Sequence, residues 1–188
     1  MMLRQELRLS GSGGQGLILA GIILAEAALY DGKNVVQSQS YGPEARGGAS
    51  KSEVIISQAP INYPKVNKCD ILLSLTQKAC DKYISSLKSG GILILDSSVT
   101  KLPDRDDIKI YSIPILKTAS NGLKKSMVAN IVALGSIYEL TKIVNRVSLE
   151  RAVLNRVPRG TEELNKKALK KGFELIKNYR SKPYGEVC

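Results

Sequence analysis

A glycine-rich turn near the amino terminus lies between two apolar segments of different kinds. Residues 6–9 alternate as a strand does, whereas the apolar run from Leu17 to Tyr30 is long enough for a helix. A strand, a glycine turn and a buried helix form the first half of a βαβ unit. The turn consists of Gly11, Ser12, Gly13, Gly14, Gln15 and Gly16. Glycines permit a tight turn and leave the first helical N–H groups open to an anion, so the sequence predicts an α/β fold with an anion-binding loop.

The sequence indicates the shape of this turn but does not decide which ligand it binds. The spacing of Gly11, Gly13 and Gly16 fits the dinucleotide fingerprint. That fingerprint also needs an acidic residue roughly 20 positions later, at the end of the second strand, for the ribose. The second strand here ends in Gln39 and Ser40. Phosphate binding and a structural turn that binds nothing therefore stand as equal alternatives, with a nicotinamide cofactor behind both.

The remaining hydrophobic pattern predicts a single domain over residues 1–180 and a loose tail over 181–188. Further strands are predicted at 34–40, 50–57, 71–75, 92–95 and 108–113, and further helices at 77–87, 127–141, 148–156 and 161–179. The short connection between the second and third strands favours an antiparallel pair. The fold class is therefore α/β: a Rossmann-like, open, mostly parallel but mixed sheet with helices on both faces. Gly90 and Gly91 are expected to end a helix, and Ser148 to cap one. Asp96 is expected where open sheets bind ligands.

Three of the predicted helices carry expectations about surfaces. The helices at 16–30 and 127–141 are apolar around most of their circumference, so part of that surface is expected to stay exposed and to make the isolated chain a homodimer. Small residues such as Gly135 and Ser136 should let a second helix approach closely. In the last helix five lysines share one face, which should point to water: Lys166, Lys167, Lys170, Lys171 and Lys177.

Composition excludes several classes of site. The formal net charge of +11 favours an anionic partner, but one Phe and no Trp argue against base stacking and hence against nucleic acid. The chain has no His, and its three cysteines form no CxxC pair, so neither a metal site nor an iron–sulfur cluster is predicted. No catalytic residue emerges. The longest apolar run is too short for a membrane span, and a cytoplasmic protein is expected.

A second loop, from Tyr41 to Gly48, contains Pro43 and three glycines and has no regular pattern. Tyr41, Glu44 and Arg46 are its candidate functional side chains. We expect this loop to lie at an active-site or subunit face, with Arg46 as a two-pronged donor to a carboxylate or phosphate. The alternative is an ordinary rigid turn whose arginine forms a surface ion pair.

Several of these stretches together resemble a known family. The glycine turn, the loop Tyr-Gly-Pro-Glu-Ala-Arg-Gly-Gly at 41–48, Ile61-Asn-Tyr-Pro64, Lys82-Tyr83, and Gly90-Gly91 before an apolar strand occur in the order seen in gamma subunits of 2-oxoacid:ferredoxin oxidoreductases. Asn130 and Gly135 in the long helix, and Asn165, Ala168 and Gly172 in the last one, continue the likeness. It spans nearly the whole chain. The 41–48 loop is its most specific part and is more similar to the 2-oxoglutarate branch than to the pyruvate branch.

The resemblance implies a share in a multi-subunit enzyme that decarboxylates a 2-oxoacid, forms its acyl-coenzyme A and passes electrons to ferredoxin. In this family alpha and beta subunits carry thiamine diphosphate with magnesium, and beta or delta subunits carry the iron–sulfur clusters. The chain would then close the active site and contribute to the coenzyme A site through its glycine turn. Alternatives are the corresponding subunit for pyruvate, branched-chain oxoacids or indolepyruvate, a free-standing phosphate- or nucleotide-binding module, and a basic RNA-binding protein.

Overall fold

The computed structural model describes residues 4–39 and 49–178, which form one α/β unit. The strands are β1 Arg4–Gly11, β2 Asn34–Gln39, β3 Ser50–Ser57, β4 Cys69–Ser74, β5 Leu87–Asp96 and β6 Lys109–Ile113. The helices are α1 Leu17–Tyr30, α2 Gln77–Tyr83, the single turn α3 Ile115–Lys117, α4 Ala129–Thr141, α5 Arg146–Arg156 and α6 Glu162–Asn178. Through the described part of the chain the predicted order of elements is confirmed, with the short helix α3 as an addition.

The six strands form one mixed sheet in the order β2-β3-β1-β4-β5-β6. Strands β1, β4, β5 and β6 are parallel to their sheet neighbours in that series, whereas β3 is antiparallel to both β1 and β2. The short connection from β2 to β3 could not hold the helical crossover that a parallel pair needs, which accounts for the reversed strand. The predicted Rossmann-like, mostly parallel sheet is therefore confirmed.

Helices cover both faces of the sheet, but unequally. One face packs Leu7, Leu9 and Leu73 against α1 and α4, and α5 and α6 complete this side of the core. The other face packs Leu72 and Leu93 against the short helix α2 and the loops around it. Because the central parallel strands are buried on both faces, they appear in the sequence as continuous apolar runs.

Two glycines allow α4 and α6 to touch through their backbones. A Cβ on Gly172 would lie 2.2 Å from the carbonyl oxygen of Val132, and one on Gly135 would lie 2.3 Å from that of Leu169. The Ser136 hydroxyl also donates to the Gly172 carbonyl oxygen over 3.3 Å. The small residues predicted to admit a second helix do so, and α6 is that helix.

Two local predictions are wrong. Gly90 and Gly91 do not end a helix: α2 stops at Tyr83, and both glycines lie inside β5. Gly90 has a φ of 74° and its N–H donates to the Asp107 carbonyl oxygen at 2.7 Å. The pairing of β4 with β5 shifts register between Leu87 and Ile92, so both glycines lie in an irregular part of the strand. Ser148 is not a helix cap, because α5 already begins at Arg146 and the Ser148 hydroxyl donates to Asp31 over 2.5 Å.

The exposed apolar surface expected on the two hydrophobic helices is present only in part: Leu29 of α1 is 57% exposed, and Met127, at the start of the predicted second helix, is 73% exposed. Every residue of α4 from Ala129 to Ile137 is buried, because α6 covers the side turned away from the sheet. Helix α5 covers α1 less completely, since Leu29 stays exposed. The prediction is therefore wrong for α4 between Ala129 and Ile137, where α6 adds a second cover to that of the sheet. The lysine face of α6, by contrast, is exposed as predicted.

Candidate functional site at the carboxyl edge of the sheet

The glycine turn leaves the sheet at the edge where the parallel strands end. Strand β1 ends at Gly11, which pairs with Ser50 at the start of β3. On the neighbouring strand, Gln39 closes β2 and pairs with Ser52. The two described ends of the 40–48 segment therefore lie at the same edge as the glycine turn. Open α/β sheets place their ligands at this edge.

The backbone of the turn needs glycine at two positions. Gly14 has a φ of 83° and Gly16 a φ of 71°, values that other residues adopt only with strain. Gly13 and Gly14 are exposed. The Gln15 side chain folds back, and its Oε1 accepts the Ser12 N–H at 2.8 Å. Gln15 therefore braces the turn from inside and withdraws one N–H group from any ligand.

Helix α4 fixes the far end of the turn. The buried side chain of Asn130 donates from Nδ2 to the Gly16 carbonyl oxygen at 3.2 Å. Its Oδ1 accepts the Ile131 N–H at 2.9 Å. A Cβ on Gly16 would lie 2.6 Å from Asn130 Nδ2. The residue at 16 must therefore be glycine both for its backbone angle and for its contact with Asn130.

The electrostatics of the turn suit an anion. Gly16 is the N-cap of α1 and brings no side-chain acceptor, and the first turn of α1 contains no acidic residue. The first N–H groups of a helix and its dipole attract negative charge. The geometry therefore favours an oxygen anion such as a phosphate beside Gly13 and Gly14. Nothing in the turn can act as a general acid or base.

Asp96, at the end of β5, is not available to a ligand. It is buried, and its two oxygens accept the N–H groups of Ser98 at 2.9 Å and Leu116 at 2.7 Å. Asp96 lies at the predicted edge, but its carboxylate holds the backbone of the turn after β5 and of helix α3. The other sequence candidates, Tyr41, Glu44 and Arg46, lie outside the described residues, and their roles stay predictions.

A buried ion pair between β1 and β3 was missed by the sequence analysis. Arg8 and Glu53 face each other on β1 and β3, with Arg8 Nη2 and Glu53 Oε1 2.6 Å apart. Lys51 also reaches Glu53, at 2.9 Å, and the Tyr83 hydroxyl donates to the Ala49 carbonyl oxygen at 2.9 Å. Alternation placed Arg8 on the face opposite Leu7 and Leu9 but gave no sign that this face is covered as well.

The described cysteines are buried thiols. Burial raises the pKa of Cys80 to about 11 and also raises the pKa of Cys69. Within the described residues, 4–39 and 49–178, there is no group of three His, Cys, Asp or Glu side chains placed to hold a metal ion. Over the same residues, no helix combines the length and hydrophobicity required to cross a membrane.

Comparison with known proteins agrees with this architecture. Residues 6–175 match the family model described as pyruvate ferredoxin/flavodoxin oxidoreductase. The 2-oxoglutarate synthase subunit KorC of Methanocaldococcus jannaschii is 55% identical over 179 residues, covering 93% of this chain and 95% of that protein. The crystal structure of a keto/oxoacid ferredoxin oxidoreductase gamma subunit from Geobacter sulfurreducens superposes with a TM-score of 0.87 at 55% identity, over 94% of this chain and 98% of that one.

A more distant structure shows the same fold inside a longer polypeptide. The 2-oxoglutarate:ferredoxin oxidoreductase of Magnetococcus marinus is 21% identical with a TM-score of 0.85, and the match covers 98% of this chain but 33% of that chain. With a family model over most of the sequence and relatives matched from end to end, this chain belongs to the pyruvate ferredoxin/flavodoxin oxidoreductase family.

Proposed function

We propose that this chain is the gamma-type subunit of a 2-oxoglutarate:ferredoxin oxidoreductase. The observation that carries the proposal is the 55% identity to a 2-oxoglutarate synthase subunit over nearly the full length of both chains. Its partners would be the alpha and beta subunits, with a delta subunit in complexes that have one, and these would bring thiamine diphosphate, magnesium and the iron–sulfur clusters. Ferredoxin would accept the electrons from those subunits. A cytoplasmic location goes with this function and stays a prediction.

The experiment is a comparison of substrates in the assembled complex. All subunits would be co-expressed and purified through a tag on this chain, and coenzyme A-dependent reduction of a viologen dye would be followed. The proposal predicts the highest kcat/KM for 2-oxoglutarate. Higher values for pyruvate, a branched-chain oxoacid or indolepyruvate would transfer the chain to another branch of the family.

Within that complex, we propose that the turn from Gly11 to Gly16 receives a phosphate of coenzyme A. The exposed backbone at Gly13 and Gly14, the capping position of Gly16 and the absence of acidic residues in the first turn of α1 support this role. Coenzyme A would supply the thiol that takes the acyl group. The turn would only bind and orient it, through backbone N–H groups. Tyr41, Glu44 and Arg46 are proposed as contacts of the neighbouring loop.

A matched pair of glycines tests the coenzyme A proposal. Gly14 and Gly160 have φ values of 83° and 85°, and a Cβ on either would meet nothing within 4 Å. Gly14→Leu and Gly160→Leu should therefore carry the same backbone strain. Only Gly14→Leu should raise the KM for coenzyme A, with the KM for 2-oxoglutarate less affected. Equal coenzyme A dependence in both intact complexes would favour a turn that binds nothing.

Self-association of the isolated chain stays a prediction, but its basis changes. Helix α4 is covered within the chain from Ala129 to Ile137, whereas α1 leaves Leu29 exposed. The large apolar side chains exposed in the described part are Leu29, Tyr63, Leu102, Met127 and Val147. A homodimer would have to bury some of these instead.

A further inference from the structure

Four consecutive exposed residues form a ridge beside the glycine turn. Lys124, Lys125, Ser126 and Met127 are all exposed, and we call them the 124–127 ridge. Met127 has 73% of its surface exposed. Helix α4 begins two residues later, and its Asn130 donates to the Gly16 carbonyl oxygen. The ridge therefore lies at the carboxyl edge of the sheet, next to the turn.

The ridge is unusual in its charge, and its backbone is held in a fixed shape. Among the described residues neither Lys124 nor Lys125 has a carboxylate partner within ion-pair distance. Lys124 has a φ of 55°, in the left-handed region that a non-glycine residue occupies only at a cost. The other described lysine of this kind, Lys142, has a φ of 49° but ends α4 in the usual way, and its Nζ lies 2.7 Å from Glu139. Lys124 likewise follows the end of a helical segment, since the Lys125 N–H donates to the Ala119 carbonyl oxygen at 3.0 Å, but among the described residues its ammonium has no carboxylate such as Glu139 beside it.

We propose that the 124–127 ridge docks against another subunit of the same complex, which presents an apolar pocket for Met127 between carboxylates facing Lys124 and Lys125. This inference rests on the proposed function. A large exposed apolar side chain flanked by two unpaired cations is complementary to an acidic rim around an apolar centre. Met is flexible and polarisable, which suits it to insertion into a partner surface. The ridge would bring that subunit beside the glycine turn.

Val147 provides the matched control. It is 76% exposed, on α5, and its neighbour Ser148 donates to Asp31, which follows the end of α1. That end of the molecule is the amino edge of the sheet, opposite the ridge. Met127→Asp and Val147→Asp would each be purified, and their affinity for the remaining subunits, co-expressed without this chain, would be measured by biolayer interferometry.

The ridge proposal predicts at least a tenfold loss of affinity for Met127→Asp, as at a central interface residue, and a change below about twofold for Val147→Asp. Equal affinities of the two variants for the remaining subunits would overturn the ridge proposal. Failure of the unaltered chain to bind any subunit would instead overturn the proposed function. Binding of the unaltered chain to RNA or to another copy of itself through Met127, with no change in subunit binding, would also overturn the ridge proposal.

A second pair of variants separates function from backbone strain. Lys124→Gly and Lys142→Gly both remove a side chain from a left-handed position, so neither should lower the unfolding temperature through its backbone. Lys124→Gly should weaken subunit binding about fivefold and make it less sensitive to salt, because a charge at the rim is lost. Lys142→Gly should leave binding unchanged. Unaltered affinity and salt dependence in Lys124→Gly would contradict the role given to the lysines.

Discussion

The side chain of Asn130 holds the carbonyl of Gly16 across the junction of two helices, with 3.2 Å between Nδ2 and O. Asn130 belongs to α4 and Gly16 precedes α1, and the two residues are 114 positions apart in sequence. This contact ties the predicted anion-binding turn to the core of the domain. The shape of the turn therefore depends on α4 as well as on its own glycines.

Gly16→Ala should destabilise the domain more than Gly14→Ala. Both substitutions put a side chain at positive φ, which costs about 1–2 kcal/mol. At Gly16 the new Cβ would also lie 2.6 Å from Asn130 Nδ2, whereas at Gly14 it would meet nothing within 4 Å. Overpacking adds about 1–3 kcal/mol at position 16. Urea unfolding of the two variants tests this, and equal losses would show that the Asn130 contact adapts without cost.

The backbone contact between α4 and α6 leads to a second stability prediction. Gly172→Ala should cost about 2–3 kcal/mol, because its Cβ would lie 2.2 Å from the Val132 carbonyl oxygen and the helices would have to separate. Gly122→Ala is the control, since its Cβ would come no closer than 3.9 Å to Thr118. That variant should be neutral or slightly stabilising, by up to about 1 kcal/mol. A small loss of unfolding free energy in Gly172→Ala would mean that the two helices can move apart at little cost.

Asp31 should make the stability depend on acid pH. Burial alone would raise its pKa, but hydrogen bonds from Ser148 and Asn145 outweigh burial and lower it from 3.8. A carboxylate with a lowered folded-state pKa contributes stability above its unfolded pKa and loses it as pH falls through the folded value. Asp31→Asn should therefore lose stability near neutral pH and show a smaller further loss between about pH 5 and pH 2. The unfolding free energies of both proteins would be measured by urea titration at several pH values. An equal dependence on pH in the two proteins would contradict the prediction.

The buried thiols should resist alkylation. Burial raises the pKa of Cys80 to about 11, so little thiolate is present at pH 8, and Cys69 is shifted in the same direction. Iodoacetamide followed by peptide mass spectrometry should label neither residue in the folded chain and both in urea. Fast labelling of Cys80 under native conditions would show that α2 opens readily or that the thiol is less buried than described.

The fold was largely predictable because its signals are local. Buried strands such as β4 appear as apolar runs, and the short β2–β3 connection was enough to predict the antiparallel pair. Errors occurred where tertiary contacts determine the local structure. Gly90 is a residue type that commonly ends a helix, but in this fold it belongs to β5. The same holds for Ser148, whose partner Asp31 is 117 positions away.

The candidate site was predictable in position but not in detail. The glycine spacing located the turn, and its positive φ values follow from the same residues. Nothing in the sequence indicated that Gln15 would take up the Ser12 N–H, or that Asp96 would use both oxygens on backbone groups. The buried Arg8–Glu53 pair was hidden as well, because alternation along β1 cannot reveal that the second face of the sheet is covered.

A chain of this kind should act only as a subunit of the larger enzyme. Oxoacid- and coenzyme A-dependent dye reduction would be measured for the isolated chain, for the other subunits alone, and for the two recombined. We expect no activity from the isolated chain, little from the other subunits alone, and full activity on recombination with 2-oxoglutarate as substrate. Dye reduction by the pure isolated chain, or full activity of the other subunits without it, would show that the chain is not such a subunit.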